Sequence, residues 1–195
     1  MPAPPARFAG AVLAGGRSRR MGTDKALVLV RDGRPLALVA AEALRAAGGE
    51  PVVAVGGDPA LAAHGLAVLP DRHPDEGPLG GLVTALSGLG APVVVVLTCD
   101  LPAVTATEVE ALVCALAEAP SAEAAVATVA GRPQFLSAAY RASALGVLQA
   151  AFARGERSVR RAMPALRIVE VPGLEPAHLA DVDTPAELAP HLADT

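Results

Sequence analysis

The run Pro92-Val93-Val94-Val95-Val96-Leu97-Thr98 shows no alternation of apolar and polar side chains. An uninterrupted β-branched run is typical of a strand buried on both faces, as in the parallel sheet of an α/β protein. The run continues into Cys99-Asp100-Leu101-Pro102, so a carboxylate is expected at the carboxyl end of a central strand. Ligands of open α/β sheets bind beyond such strand ends. This stretch therefore predicts the fold class and the edge of the sheet where a site is expected.

Short apolar runs alternate with helical patterns on both sides of this strand. The predicted strands cover residues 8–14, 51–55, 66–69, 92–98, 124–129, 134–138 and 167–171. The predicted helices cover residues 35–47, 79–89, 105–119, 142–154, 159–163 and 185–192. The 195 residues contain no internal repeat or low-complexity linker, and such a length suits one buried domain. We predict a single three-layer α/β/α domain with a mostly parallel central sheet, preceded by a flexible segment at 1–7.

Composition narrows the functional classes. Hydrophobic residues make up 52% of the chain and aromatic residues only 2%, so the core is expected to be aliphatic. The 16 basic and 20 acidic residues give a net charge of −4, which argues against a nucleic-acid partner. The N-terminus has no signal-peptide pattern, and no apolar run reaches about 18 residues. A cytoplasmic protein without a membrane partner is the expectation.

Several single residues are expected to be structural. Cys99 and Cys114 form neither a disulfide framework nor a metal motif, and Cys114 is predicted to be a small buried residue within a helix. Phe135 and Tyr140 are predicted to lie in the core. Four histidines show no metal-ligand spacing and are expected at surface or turn positions: His64, His73, His178 and His191.

A glycine-rich loop after the first predicted strand contains the only lysine of the chain. It reads Leu13-Ala14-Gly15-Gly16-Arg17-Ser18-Arg19-Arg20-Met21-Gly22-Thr23-Asp24-Lys25. A lysine ammonium acts as a point charge for phosphate, and adjacent glycines allow backbone amides to approach an anion. The loop has neither the GxGxxG nor the P-loop order, and a solvated basic turn is the structural alternative. We interpret it as a polyphosphate-binding loop.

Asp100 is a candidate magnesium ligand, because Mg²⁺ takes few protein oxygens together with substrate phosphates. The structural alternative is an aspartate that caps the turn before Pro102. Near the C-terminus, Asp183 or Thr184 could cap a helix that begins with Pro185, which needs no chemistry. In the functional interpretation, Asp181 or Asp183 supplies a second carboxylate that organises a metal or a phosphate.

The segment Gly77-Pro78-Leu79-Gly80-Gly81-Leu82 enters a predicted helix. Glycines here could let the backbone lie flat against a nucleobase, and Asp71 could hold the base or the ribose. The alternatives are close helix–strand packing for Gly80 and Gly81, and a plain turn for Asp71.

Three of these segments resemble the signature of nucleotidyltransferases with a GT-A-like α/β fold. The similarity is closest to the molybdenum cofactor guanylyltransferases, the molybdopterin-guanine dinucleotide biosynthesis protein A family. It is carried by the loop at 13–25, by Gly77-Pro78-Leu79-Gly80-Gly81 and by Cys99-Asp100-Leu101-Pro102, and extends from about residue 9 to 188. The resemblance implies a Mg²⁺-dependent enzyme that transfers GMP from GTP to a molybdopterin-type cofactor and releases pyrophosphate. Other proteins of cofactor biosynthesis are possible partners.

The resemblance also implies roles for individual residues. The catalytic residues would be Lys25, Arg20 and Asp100, with Asp100 as metal ligand and Asp183 as a further candidate ligand. The nucleotide-binding residues would be Leu13, Ala14, Gly15, Gly16, Arg17, Lys25, Asp71, Gly80, Gly81 and Asp100. The second-substrate residues would be Arg132, Gln134, Arg157, Asp181 and Asp183. A nucleotide half at about 8–103 and a second-substrate half at about 104–195 follow from this division.

Two departures from the family pattern bear on specificity. The family often has asparagine where Asp181 and Asp183 stand, and cytidylyl relatives often have aspartate there. It also commonly has asparagine after the second strand, where this chain has Gly56-Gly57. The whole chain contains no asparagine, so compositional drift is one explanation. A CTP-dependent molybdopterin cytidylyltransferase and a non-catalytic nucleotide-binding module remain alternatives.

Overall fold

The computed structural model describes residues 7–15 and 25–192. Most of the N-terminal segment expected to be flexible lies outside this part of the chain, as do Gly16, Arg17 and Arg20. The described residues form one sheet with the order β3-β2-β1-β4-β6-β5-β7. Its strands are β1 (Ala9–Leu13), β2 (Val52–Val55), β3 (Ala67–Leu69), β4 (Val93–Thr98), β5 (Ala124–Val129), β6 (Arg132–Arg141) and β7 (Ile168–Val171).

Strand β6 is antiparallel to both of its neighbours, and the other neighbouring strands are parallel. The predicted mostly parallel sheet is confirmed. Its centre is β4, whose residues Val94 to Leu97 are completely buried, as expected for a valine run without alternation.

Helices cover both faces of the sheet. One apolar cluster packs β1 and β4 against α1 (Leu36–Ala46) and α3 (Ala106–Glu118). On the opposite face, α2 (Pro78–Leu89), α4 (Ala144–Ala153) and the short α5 (Val159–Ala162) form a second cluster. The short helix α6 (Pro185–Leu188) follows near the C-terminus. The three-layer, single-domain prediction is therefore confirmed.

Two predicted elements differ from the observed ones by three or more residues at one end. Strand β6 is longer than the predicted 134–138, because pairing with β4 on one side and β5 on the other extends it in both directions. The predicted helix 185–192 is regular only as far as Leu188 and then becomes a 3₁₀ turn, Ala189–His191. Pro190 lies in that turn and has no N–H with which to continue an α-helix.

The prediction that Cys114 is buried was wrong, since its side chain is exposed. The buried face of α3 contains Val109, Leu112, Val113 and Leu116. Cys114 follows Val113 by one residue, a rotation of about 100° that carries it off this face. Tyr140 is fully buried, as predicted, whereas Phe135 is only half-buried.

The topology collects the polar segments at one edge of the sheet. Strands β1 to β5 all point in the same direction, so their carboxyl ends meet there. Because β6 runs the opposite way, its first residue, Arg132, also lies at this edge. None of the described helices is long and apolar enough to cross a membrane.

Candidate active site

Lys25 lies at the carboxyl edge of the sheet, at the start of the 3₁₀ turn Lys25–Leu27. It is only 7% exposed, and its Nζ donates to Oδ2 of Asp100 at 3.2 Å and to Oδ1 of Asp183 at 3.1 Å. Burial opposes the charge, but the attraction of Asp100 and the hydrogen bonds to both carboxylates outweigh it, raising the pKa of Lys25 above its ordinary value. The site therefore holds a fixed ammonium.

Asp100 is joined by two other carboxylates. One carboxylate oxygen from each of Asp100, Asp181 and Asp183 lies within 4.8 Å of the others. Oδ1 of Asp100 is buried and accepts no hydrogen bond from the described residues. Loss of water around the Asp181 carboxylate raises its pKa, and repulsion by Asp100 and Asp183 adds to this effect. Crowded carboxylates with an unpaired buried oxygen fit a hard cation such as Mg²⁺.

Backbone contacts bring the two C-terminal aspartates to β4. The N–H of Val182 donates to the carbonyl oxygen of Asp100 at 3.0 Å. Thr184, not Asp183, caps α6 with its side chain, and Oε2 of Glu187 accepts from the N–H groups of Asp183 and Thr184. The capping alternative is thus correct for Thr184. It leaves the Asp183 carboxylate available to reach Lys25.

A contact between a buried glutamate and a histidine, which sequence reasoning missed, anchors the segment before Asp181. Glu108 is 2% exposed, and its Oε1 lies 2.9 Å from Nδ1 of His178. Burial alone would raise the pKa of Glu108, but hydrogen bonds from Thr105 and His178 outweigh it and lower this pKa. The spacing of Thr105 and Glu108 indicates a capping box. No local signal indicates His178, which lies 70 positions away.

The nucleotide side of the predicted site begins at the end of β1. The N–H groups of Ala14 and Gly15 both donate to the carbonyl oxygen of Val55 at 3.1 Å, so the sheet uses them. These two amides are therefore not available to an anion.

Asp71 lies opposite Gly15. Its Oδ1 accepts from Oγ1 of Thr84 at 2.8 Å and from the N–H of His73 at 3.0 Å. A Cβ built on Gly15 would lie 3.7 Å from Oδ2 of Asp71, so that oxygen faces the loop. Thr84 was not predicted, although a polar residue one turn after Gly80 and Gly81 on an apolar helix could have indicated it.

The adjacent glycines Gly80 and Gly81 of α2 face different surroundings. A Cβ on Gly81 would make only an ordinary contact, 3.7 Å from Cδ2 of Leu13 at the end of β1. A Cβ on Gly80 would lie 2.8 Å from Cβ of His73 and 3.4 Å from the ring of Phe152. Gly81 therefore borders the predicted nucleotide side, whereas Gly80 fits the packing alternative.

A cavity of about 370 Å³ opens on the other side of Asp100. Its lining includes Gln134, Phe135, Arg160 and Asp181. Two of the predicted second-substrate residues thus meet at one cavity. The other three do not line it. Arg132 is exposed at the start of β6, and the Arg157 guanidinium lies against Glu76 and Phe152. The Asp183 carboxylate contacts Lys25 instead.

A lysine and three carboxylates at the carboxyl edge of an α/β sheet are suited to binding metal-bound phosphates. This arrangement fits the class of nucleotidyltransferases. A family model described as the MobA-like NTP transferase domain matches residues 10–169, and the chain belongs to this family.

Named relatives and a solved structure agree with this family. The chain is 38% identical over 178 residues to a probable molybdenum cofactor guanylyltransferase from Chloroflexus aggregans, covering 86% of this chain and 81% of the relative. It is 37% identical over 174 residues to the molybdenum cofactor guanylyltransferase from Burkholderia vietnamiensis, covering 83% and 84%. The crystal structure of molybdopterin-guanine dinucleotide biosynthesis protein A from Archaeoglobus fulgidus superposes with a TM-score of 0.75 at 25% identity, covering 94% of this chain and 96% of the other.

Proposed function

We propose that this protein transfers GMP from GTP to the terminal phosphate of a molybdopterin-type cofactor and releases pyrophosphate. The observation that carries the proposal is the cluster of Lys25, Asp100, Asp181 and Asp183 between a glycine-lined surface and a separate cavity. The guanylyltransferase names of the relatives support the base and the acceptor.

The nucleotide side belongs to residues 8–103 in this proposal. The nucleoside lies between the end of β1, formed by Leu13, Ala14 and Gly15, and the open side of Gly81. Oδ2 of Asp71, which faces Gly15, accepts a hydrogen bond from the base or the ribose. Gly80 contributes by letting α2 pack close to His73. Lys25 neutralises the triphosphate together with Arg17 and Arg20 of the preceding loop, and Gly16 is assigned to the phosphates through its backbone amide.

We assign the metal site to Asp100, with Asp183 and Asp181 as the neighbouring carboxylates. The unpaired Oδ1 of Asp100 supports this assignment. Bound Mg²⁺ would supply Lewis-acid neutralisation of phosphate charge. Asp100 and Asp183 also hold Lys25 at the site by hydrogen bonds.

The second substrate is assigned to residues 104–195 and to the cavity beside Asp100. Gln134 offers an amide to the pterin, and Asp181 lies where the two substrates meet. Arg132, at the rim of the same edge, adds positive charge. Arg157 serves this side from a position outside the cavity lining.

The reaction needs little covalent chemistry from the protein. A phosphate oxygen of the cofactor attacks the α-phosphorus of GTP, the new P–O bond forms, and the bond to the β-phosphate oxygen breaks. Lys25 stabilises the charge that develops on the transferred and leaving phosphates, and the two binding surfaces hold the substrates in line. Catalysis thus consists of positioning and charge neutralisation.

Isotope placement tests the transfer. With GTP labelled at the α-phosphate, the label should appear in a molybdopterin dinucleotide. With GTP labelled at the γ-phosphate, it should appear in pyrophosphate. Label that stays in GTP during incubation with folded protein, Mg²⁺ and molybdopterin would contradict the proposal.

We also propose a cytoplasmic location, where thiols such as those of Cys99 and Cys114 stay reduced. Another protein of cofactor biosynthesis that hands over the molybdopterin is the partner proposed with this function.

A further inference from the structure

The Arg157 guanidinium is occupied by contacts within the protein. One terminal nitrogen donates to Oε2 of Glu76 at 2.7 Å. The other donates to the carbonyl oxygens of Phe152 at 2.9 Å and Glu156 at 3.0 Å. The face of the guanidinium lies 4.0 Å from the centre of the Phe152 ring. Because both terminal nitrogens and one face of the guanidinium already contact the protein, Arg157 is poorly placed to bind a substrate phosphate as well.

The backbone of Arg157 holds the turn that begins α2. Its carbonyl oxygen accepts from the N–H of Leu79 at 3.2 Å. Gly77 has a φ of +86°, and a Cβ there would lie 3.0 Å from the same carbonyl oxygen. The turn and Arg157 are therefore packed with no room between them, and a shift of one moves the other.

Phe152 extends this contact toward Asp71. The Phe152 and His73 rings lie 4.4 Å apart, and Gly80 packs against both. The N–H of His73 in turn donates to Asp71. Arg157 and Phe152 thus support the segment 71–81, which forms the proposed nucleoside surface.

The residues that follow Arg157 enter the other side of the site. Ser158, Val159 and Arg160 line the cavity assigned to the second substrate. The Arg160 guanidinium lies 5.8 Å from the centre of the Phe135 ring. Within residues 7–15 and 25–192, Arg160 makes no ion pair, so it keeps a charge that a substrate phosphate could use.

We propose that Arg157 is a positioning residue that couples the nucleoside surface at 71–81 to the second-substrate cavity, acting through Glu76 and Phe152. It does not itself contact a substrate phosphate. This inference rests on the proposed function only for the chemistry of the two ligands. In this proposal the same contacts hold both binding regions, so a substitution of Arg157 weakens ligand binding at both.

A double-mutant cycle with Arg157→Ala and Glu76→Ala tests the coupling. Each single variant should raise KM for GTP and KM for molybdopterin about fivefold, with kcat little changed. The double variant should have the same two KM values as Arg157→Ala, because Glu76→Ala removes a contact that Arg157→Ala has already removed. A direct phosphate contact would instead raise only the molybdopterin KM in Arg157→Ala and change nothing in Glu76→Ala, which would overturn the proposal.

Two further variants separate charge from shape. Arg157→Lys keeps the charge but loses the fork and the stacking, so it should behave like Arg157→Ala; full rescue by lysine would contradict a positioning role. Arg160→Ala is the matched control and should raise only the molybdopterin KM. An equal rise of the GTP KM in Arg160→Ala would show that the Arg157 contacts are not the coupling element.

Nucleotide binding can be measured without the proposed reaction. Calorimetric titration of each variant with the nucleotide that wild-type protein binds needs no second substrate. A higher Kd for the nucleotide in both Glu76→Ala and Arg157→Ala supports the coupling, even where wild-type protein fails to join GTP to molybdopterin. Wild-type Kd values in both variants would overturn it. Should Arg157→Ala fail to fold, Glu76→Ala, whose side chain is 45% exposed, decides the question alone.

Discussion

Lys25 and Asp100 lie 75 positions apart in the chain, yet Nζ and Oδ2 are 3.2 Å apart at the end of the central strand. This contact connects the glycine-rich loop to the end of β4. Oδ1 of Asp183 also lies 3.1 Å from the same Nζ. A buried cation and an exposed acidic segment thus meet where the sheet edge offers room for phosphates.

Removal of the Lys25 charge should abolish most turnover. In Lys25→Met, we expect kcat/KM to fall by about 100-fold or more, because no preorganised ammonium stabilises the negative charge that develops on the phosphates. Circular dichroism should show an intact fold. Arg34→Met removes a cation that pairs with Asp32 and Glu42 on the surface and serves as the control. Wild-type turnover in Lys25→Met would remove the lysine from the mechanism.

Asp100 should control the metal requirement. In Asp100→Asn, the Mg²⁺ concentration for half-maximal rate should rise about tenfold or more, because a charged oxygen ligand becomes neutral. Mn²⁺ binding followed by electron paramagnetic resonance provides a readout without turnover. Asp58→Asn, at the cap of a surface 3₁₀ turn, is the control. Identical Mn²⁺ titrations in Asp100→Asn and wild-type protein would show that the ligands lie elsewhere.

Gly80 and Gly81 of α2 should respond differently to alanine. Gly81→Ala should keep the wild-type Tm but weaken GTP binding, since its methyl group would project toward Leu13 and the nucleoside surface. Gly80→Ala should lower stability by about 1–3 kcal/mol, because its methyl group would overlap His73. Thermal melts and GTP titrations of both variants check this. Equal GTP affinity in Gly81→Ala and wild type would place the base elsewhere.

Glu108 should make stability depend on acid pH. Its pKa in the folded protein is lowered from 4.5 by Thr105 and His178 against the effect of burial. The contribution is therefore complete above about 4.5 and is lost as the pH falls through the lower folded value. Urea denaturation should show Glu108→Gln to be less stable than wild type at pH 7, with the gap closing as the pH falls below about 4.5. A gap that is constant with pH would contradict this assignment.

The sheet and its edge could be predicted from local patterns, because the pattern of apolar residues along a strand indicates which of its faces are buried. The valine run before Asp100 and the glycines after β1 show where polar groups meet, without any knowledge of side-chain contacts. The pairing of Lys25 with Asp183 spans 158 positions and depends on how the segment around Val182 folds back onto β4. No local pattern carries that information.

Side-chain direction on helices also limited prediction. Gly80 and Gly81 are adjacent in sequence, but one turns toward His73 and the other toward Leu13. Which arginine of the segment 157–160 faces the cavity similarly depends on where α5 begins. These details follow from packing between elements, which the sequence alone does not specify.

Pyrophosphate release is the measurement that tests the central claim most directly. Folded protein would be incubated with Mg²⁺ and molybdopterin, with GTP and CTP supplied in parallel. The account predicts release with GTP only. Release with CTP only would leave the fold and the charge arrangement in place but assign the protein to the cytidylyl branch. No release with either nucleotide would contradict the proposed transfer and favour a nucleotide-binding module.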